Sequence, residues 1–261
     1  MTPLFTGPTS APGWKSNYIP DGEVAPVHAL TIDVGRQHPS SRAPRVTNPS
    51  AFAAAAFAGL LDRYGISVGK KVRPARAPQG AAALATVESA PVYALVERTL
   101  TMSDNDLAEA LARHVAIKEG EPASFEGASR AMIAALKRIG GAKGVMLSDA
   151  SGLSIRNRIS ADAMARVLAI ASKDPALRPI LSGMPIAGFT GTLGHRFTRD
   201  DSKGEVGLVR GKTGTLNNVN TLAGFATTLE GRLVTFAFMA DKVPANAEPV
   251  LDRLAAIVAR S

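Results

Sequence analysis

Apolar positions recur with a helical period through the middle of the chain and with a strand period near its end, and turn residues separate the two regimes. Asn48-Pro49-Ser50 opens the first helix, with Asn48 as N-cap and Pro49 at the first helical position. The run 51–64 is rich in Ala, Leu and Phe, and Gly65 supplies a stop. Ile66-Ser67-Val68 then reads as a short strand, 70–78 as a basic connection containing Pro, and 84–89 as an extended stretch before Pro91 opens a helix through Leu100. In the next helix Leu107, Ala110, Leu111, His114 and Val115 share one face, which places Ser103-Asp104-Asn105 at or just before its N-terminus. A further amphipathic helix spans 124–139 and ends at Gly140-Gly141, and Val145-Met146-Leu147 is a short strand. The stretch 148–154 is a hydroxyl-dense loop in which Asp149, Ser151 and Ser154 suit capping or turn bonding. Ser160 caps a helix to Ser172, and 175–181 allows one or two turns. Three strands follow at 207–213, 219–228 and 233–240, the last two joined by a tight turn at Glu230-Gly231, and a final amphipathic helix covers 247–259. Helices backed by an antiparallel sheet make the expected fold class α+β.

The first 48 or so residues break this regularity. Each Pro within a helix removes a donor and clashes with the preceding turn, so this Pro-rich segment is expected to hold no long helix and at most one or two short strands within 24–34.

Composition narrows the chemistry. With 261 residues the chain can bury a substantial core, and 46% hydrophobic against 20% charged residues is ordinary for a globular protein. No apolar run reaches the length of about 18 residues that a membrane span needs, and the N-terminus carries neither the basic nor the apolar region of a signal peptide. The absence of Cys excludes disulfides, thiolate metal sites and a Cys nucleophile, and the four histidines His28, His38, His114 and His195 have no ligand spacing; neither metal nor cofactor is expected. A net charge of +8 favours anionic polymers, but the basic residues are dispersed and aromatics few, which argues against nucleic acid.

The candidate chemistry lies in two motifs, Ser103-x-Asn105 and Lys212-Thr213-Gly214. Acyl transfer at a peptide-like amide needs a nucleophile, a proton shuttle, an oxyanion hole and a substrate anchor. Ser-x-Asn at a helix N-terminus can supply a shuttling hydroxyl and an orienting amide. A Lys-Thr-Gly strand can supply a cationic anchor beside backbone bare enough for a ligand to pair with it. Standing alone, Ser103 and Asn105 would equally serve as a helix cap.

Together with the segments SDNDLAEAL, SDASGLSIRNRIS, GFTGTLGHR and GKTGTLNNVNTLAGFA, these motifs resemble, in order, the D-alanyl-D-alanine carboxypeptidase/endopeptidases of the penicillin-binding protein 4 type, peptidase family S13. The resemblance implies a β-lactamase/transpeptidase-like fold, incomplete here at its N-terminal side. It implies residues 1–47 as the remnant of an inserted accessory domain and 48–261 as the C-terminal portion of the penicillin-binding domain. The implied partners are peptidoglycan stem peptides ending in D-Ala-D-Ala and, for the intact enzyme, β-lactams, and the implied location is extracytoplasmic. By the same resemblance Ser103 would relay a proton to the leaving amine, Asn105 would hold the acyl-side amide and Lys212 would set the electrostatics. Thr213 and Thr215 would bind the terminal carboxylate, Gly214 would let the ligand approach, and the Thr215 N–H would be half of an oxyanion hole.

The family's nucleophile motif is Ser-x-x-Lys, and Ser67-Val68-Gly69-Lys70 is its single match in the sequence. A working pair needs one helical turn to stack both side chains on one face. Ser67 follows the Gly65 stop, sits between β-branched residues and is followed by Gly69. Two readings stay open: a carboxypeptidase portion without its nucleophile, and a non-catalytic protein that binds peptidoglycan or a partner through the Lys-Thr-Gly anchor; a hydrolase using Ser67 is a third. The 261-residue chain is therefore expected to release no D-Ala from a pentapeptide and to give no covalent band with a fluorescent penicillin. D-Ala release that Ser67→Ala abolishes would overturn this.

Overall fold

A computed structural model describes residues 4–38, 44–69, 75, 78–243 and 246–261, and the chain divides into two compact units. The first comprises Met1–Ser89, Asn105–Met132 and Leu147–Arg156, the second Ala90–Asp104, Ile133–Met146 and Asn157–Ser261.

In the first unit, helix α1 (Pro49–Arg63) starts as its sequence dictates: the Asn48 side chain accepts from the Ala51 N–H at 3.0 Å. Gly65, at φ +77°, ends it, and the Ile66 N–H closes back on the Leu61 carbonyl at 2.9 Å. That closing bond spends the donor a strand would need, and 66–69 is irregular rather than the expected strand. Ser67 lies in this irregular stretch, and Lys70 and most of the basic connection fall outside the described residues. Residues 84–89 likewise form no element. Nor does 24–34 form strands; its N–H groups bond one by one to separate partners, Ala25 to Asp106 Oδ1 and Val27 to the Thr9 carbonyl. A 3₁₀ turn at Asp33–Gly35 follows.

Helix α3 (Asn105–Lys118) begins where the sequence places it but buries another face. Its buried positions are Glu109, Ala112, Arg113 and Ala116, while His114 and Val115 are exposed. Ala112 and Ala116 pack against Ala128 and Ala131 of α4 (Phe125–Arg138), a helix that begins in this unit and ends in the other. Beside this alanine seam the Glu109 and Arg113 side chains, 0% and 1% exposed, form an ion pair at 3.2 Å. Glu109 Oε1 also accepts the backbone N–H groups of Ala150 and Ser151, and the Arg113 guanidinium lies 3.8 Å over the Phe125 ring. Burial, and next the nearby Asp149, raises the Glu109 pKa. Apolar periodicity failed on this helix because two of its buried groups are charged: Glu109 takes backbone donors from far along the chain, and Arg113 pairs with Glu109 and with the Phe125 ring. Asp149 does the turn bonding expected of it, accepting from Gly152 and Ser154 N–H groups and from Trp14 Nε1 at 2.7 Å.

The second unit is built on an antiparallel sheet in the order β3-β4-β5, from Val209–Leu216, Val219–Thr227 and Leu233–Asp241. One face packs on α7 (Glu248–Arg260), burying Val209, Leu222 and Phe236 against Leu251, Ala255 and Ala259. Ala223 and Phe225 join a second cluster with Leu168 of α5 (Ala161–Ala171) and with Ile180 and Leu181 of α6 (Arg178–Gly183). Helix α2 (Val92–Met102) and a two-residue ladder complete the unit; β1 (Val145–Met146) was expected and its partner β2 (Arg158–Ile159) was not, being too short to carry a period.

Removing one partner of a buried ion pair leaves the other charge stranded, so Arg113→Ala is expected to destabilise the protein by about 3–5 kcal/mol. Urea denaturation with a loss under about 1 kcal/mol would contradict this account of the first unit.

Candidate functional site

Ser103 ends α2 in the left-handed conformation, at φ 53° and ψ 47°. A residue with a Cβ adopts this region at a cost, which the surrounding contacts must offset. They do so from both sides of the last turn. The Asp104 N–H closes on the Thr99 carbonyl at 3.1 Å, and Thr101 Oγ1 donates to the Gly183 carbonyl at 2.7 Å. Gly191, in the loop ahead of the sheet, lies so close to the Thr101 carbonyl that a Cβ there would sit 2.3 Å from its oxygen. Ser103 is thus the C-cap of one helix and not the N-cap of the next.

Across from it, the Lys212 ammonium donates to Ser103 Oγ at 2.8 Å and to the Thr213 carbonyl at 2.9 Å. An ammonium has three protons and no acceptor, so Ser103 must accept, which leaves its own O–H free to donate to a ligand. The third Lys212 proton has no acceptor among the described residues. Burial lowers the Lys212 pKa from the ordinary 10.5 to about 8, because desolvation penalises the charged form.

The strand that carries Lys212 is an edge strand among the described residues. Val209 O accepts from Ala187 and the Gly211 N–H donates to Pro185, so odd-numbered positions of β3 direct their backbone groups away from β4. Past Gly211 this places the backbone of Thr213 and Thr215 on an open edge. Gly214 faces Thr221 across the ladder, where a Cβ would come within 2.4 Å of Thr221 Oγ1. The two threonine side chains are already engaged: Thr213 Oγ1 bonds Thr192 Oγ1 at 2.8 Å, and Thr215 Oγ1 donates to Glu248 Oε1 at 2.9 Å.

Of the residues singled out in the sequence, Ser103, Lys212, Thr213, Gly214 and Thr215 therefore come together in the second unit. Asn105 belongs to the first unit, where it starts α3 and its side-chain amide donates to the Glu23 carbonyl at 2.9 Å. Sequence reasoning passed over Thr192 and Glu248. Thr192 was visible only as part of the segment GFTGTLGHR, and Glu248 resembles any acidic residue in the first turn of a helix. Among the described residues no cluster of His, Cys, Asp and Glu could hold a metal.

Because the Lys212 pKa is depressed on folding, its charged form costs stability that is fully lost below about pH 8 and regained as pH rises toward 10.5. Lys212→Met is therefore expected to be the more stable protein below about pH 8, with the gap to the unmodified chain closing by about pH 10. Urea midpoints that differ by a constant amount across this range would contradict the desolvated ammonium.

Known proteins resemble the chain as a whole. A carboxypeptidase of Mycobacterium tuberculosis is 40% identical over 258 residues, covering 96% of this chain and 55% of the relative. The carboxypeptidase DacB of Mycolicibacterium smegmatis is 36% identical, covering 98% and 56%. The chain thus spans about half the length of these relatives. Among solved structures, penicillin-binding protein 4 of Haemophilus influenzae aligns with a TM-score of 0.85 at 25% identity, covering all of this chain and 74% of that one. A second structure of that protein, in complex with a β-lactam, aligns over 80% of this chain and 51% of its own, with a TM-score of 0.70 at 31% identity. These likenesses agree with the α+β, transpeptidase-like fold expected from the motifs. Residues 36–260 match the D-Ala-D-Ala carboxypeptidase 3 (S13) family, and the chain belongs to it.

Proposed function

We propose that this chain forms the substrate-anchoring portion of a serine-type D,D-carboxypeptidase that acts outside the cytoplasm on peptidoglycan stem peptides ending in D-Ala-D-Ala. The observation that carries the reading is the Lys212 ammonium, 2.8 Å from Ser103 Oγ, beside the open edge of β3. A peptide laid along that edge would pair with the backbone of Thr213 and Thr215 as an added strand. Lys212 and Thr213 would anchor its terminal carboxyl group, and Gly214 would keep the approach clear. The Thr215 N–H would polarise the acyl carbonyl.

Ser103 would pass a proton to the leaving amine. Its hydroxyl proton is free because Lys212 occupies its lone pair, and a Lys212 pKa of about 8 makes reprotonation from that side feasible near neutral pH. The reaction proposed needs no cofactor. No helix among the described residues is long and apolar enough to cross a membrane. The carboxypeptidase names of the relatives and the β-lactam complex of the Haemophilus influenzae protein support the same substrate class.

One observation favours a second reading, in which the chain holds its peptide without acylation: Ser67, of the single Ser-x-x-Lys in the sequence, lies in an irregular exposed stretch and not on a helix. Both readings require the anchor. In a calorimetric titration with an N-acylated D-Ala-D-Ala peptide, Thr213→Val is expected to weaken binding by roughly tenfold. Unchanged affinity in that variant would remove β3 from the ligand site.

A further inference from the structure

The first residues of β3 carry a cation that the Lys212–Ser103 site does not use. Side chains alternate across a sheet, so Arg210 lies on the opposite face from Val209, which packs on α7, and on the same face as Lys212. Its ladder partner is Phe225, which is buried on that face in the cluster that includes Leu181 of α6. Arg178 opens α6, and Leu181 and Ser182 follow one turn along the helix. Arg178, Arg210, Leu181, Ser182, Phe225 and Leu233 together line an open cavity of about 440 Å³ inside the second unit. Lys212 is not among its lining residues.

Neither guanidinium has a hydrogen bond or ion pair with the described residues. Elsewhere in the chain Arg113, Arg130, Arg196 and Arg260 each take a carboxylate. The acids closest to the cavity walls are turned to other donors: Glu97 Oε1 accepts the Ser182 O–H, and Asp174 Oδ1 accepts the Ala176 N–H. Setting these two acids against Arg178, Arg210 and Lys212 still leaves the surroundings positive. Each guanidinium presents a planar fork of N–H donors that matches a carboxylate or a phosphate. The walls between the two forks are apolar. Leu181 and Phe225 belong to a core cluster, and Leu233 is 52% exposed. An apolar group seated there would take that surface out of water.

A ligand that meets both features is an anion with an apolar group attached. Two forks favour a phosphate monoester over a carboxylate, because a phosphate's terminal oxygens can be shared between two guanidiniums, whereas a carboxylate is filled by one. Cavities that hold small molecules measure roughly 300–1,000 Å³, so this one has room for a head group and a short alkyl or aryl tail. We propose that Arg178 and Arg210 form a second binding site, distinct from the peptide edge of β3, for a phosphate monoester that bears an apolar group. The proposal does not rest on the peptide reading of β3 and stands or falls separately from it.

Calorimetry on the full chain with methyl phosphate and n-hexyl phosphate tests it. The hexyl ester is expected to bind, and to bind roughly tenfold more tightly than the methyl ester through the methylenes it buries. Arg178→Gln and Arg210→Gln are each expected to weaken it by roughly tenfold, the loss of a hydrogen bond to a charged group. Both side chains are exposed, so Gln at either position leaves the core intact. Excess N-acylated D-Ala-D-Ala should leave the hexyl ester bound. Flotation with phosphatidylcholine vesicles that carry phosphatidic acid distinguishes the sources of the head group. Capture that is lost in the double variant Arg178→Gln/Arg210→Gln assigns it to a lipid, and hexyl ester binding without capture assigns it to a soluble ester. No binding of the hexyl ester, equal affinity for the methyl ester, a double variant that binds as the unmodified chain does, or displacement by the peptide overturns the proposal.

Discussion

The hydrogen bond from the Lys212 ammonium to Ser103 is the contact on which the second unit's site depends, and it carries a desolvation cost that the rest of the unit must offset. An ammonium taken out of water loses more than one neutral hydrogen bond returns. Its position is set by β3, whose ladder with β4 runs unbroken from Val209 to Leu216, and by the end of α2, which presents Ser103 in a strained backbone conformation. Neither element could shift far to relieve the cost. The strand is held on its other side by Pro185 and Ala187, and α2 is pinned by Thr101 to Gly183 and closed against Gly191. Strain at Ser103 and desolvation at Lys212 meet in one hydrogen bond, which is where a site that must act on a ligand is expected to concentrate them.

How much of this was legible in the sequence follows from whether the determining forces were local. The caps were: Asn48 before Pro49, and Ser160 before α5, whose hydroxyl accepts from Ala163 at 3.1 Å, act within one turn of the chain. Strands β4 and β5 were legible because layers on both faces of the sheet call for long, largely apolar stretches, each nine residues here, bounded by turn residues. Lys212-Thr213-Gly214 and Ser103-x-Asn105 were legible as motifs, though the role of Ser103 as a C-cap was not, since only Gly and Asn advertise a left-handed residue at a helix end.

What the sequence hid was settled at a distance. The buried face of α3 carries Glu109 and Arg113, which any hydrophobic period assigns to the surface. Their partners at Ala150, Ser151 and Phe125 come from other segments of the first unit. Ile66-Ser67-Val68 has strand-forming residues, but the Ile66 N–H closes the helix before it, and a spent donor overrides propensity. The two residues of β2 gain their identity wholly from pairing with β1.

The same division runs through the hydroxyls of the site. Ser103, Thr213 and Thr215 are equivalent as letters, each a hydroxyl with one proton and two lone pairs. Beside an ammonium, Ser103 becomes an available donor; beside another hydroxyl, Thr213 shares one bond with Thr192; beside a carboxylate, Thr215 spends its proton on Glu248. The chemistry of the strand edge is thus set less by the motif that names it than by the residues behind it, Thr192 and Glu248, which come from outside the strand. A motif of this kind marks a stretch of strand, and the partners of its side chains decide which of its hydroxyl protons are already spent.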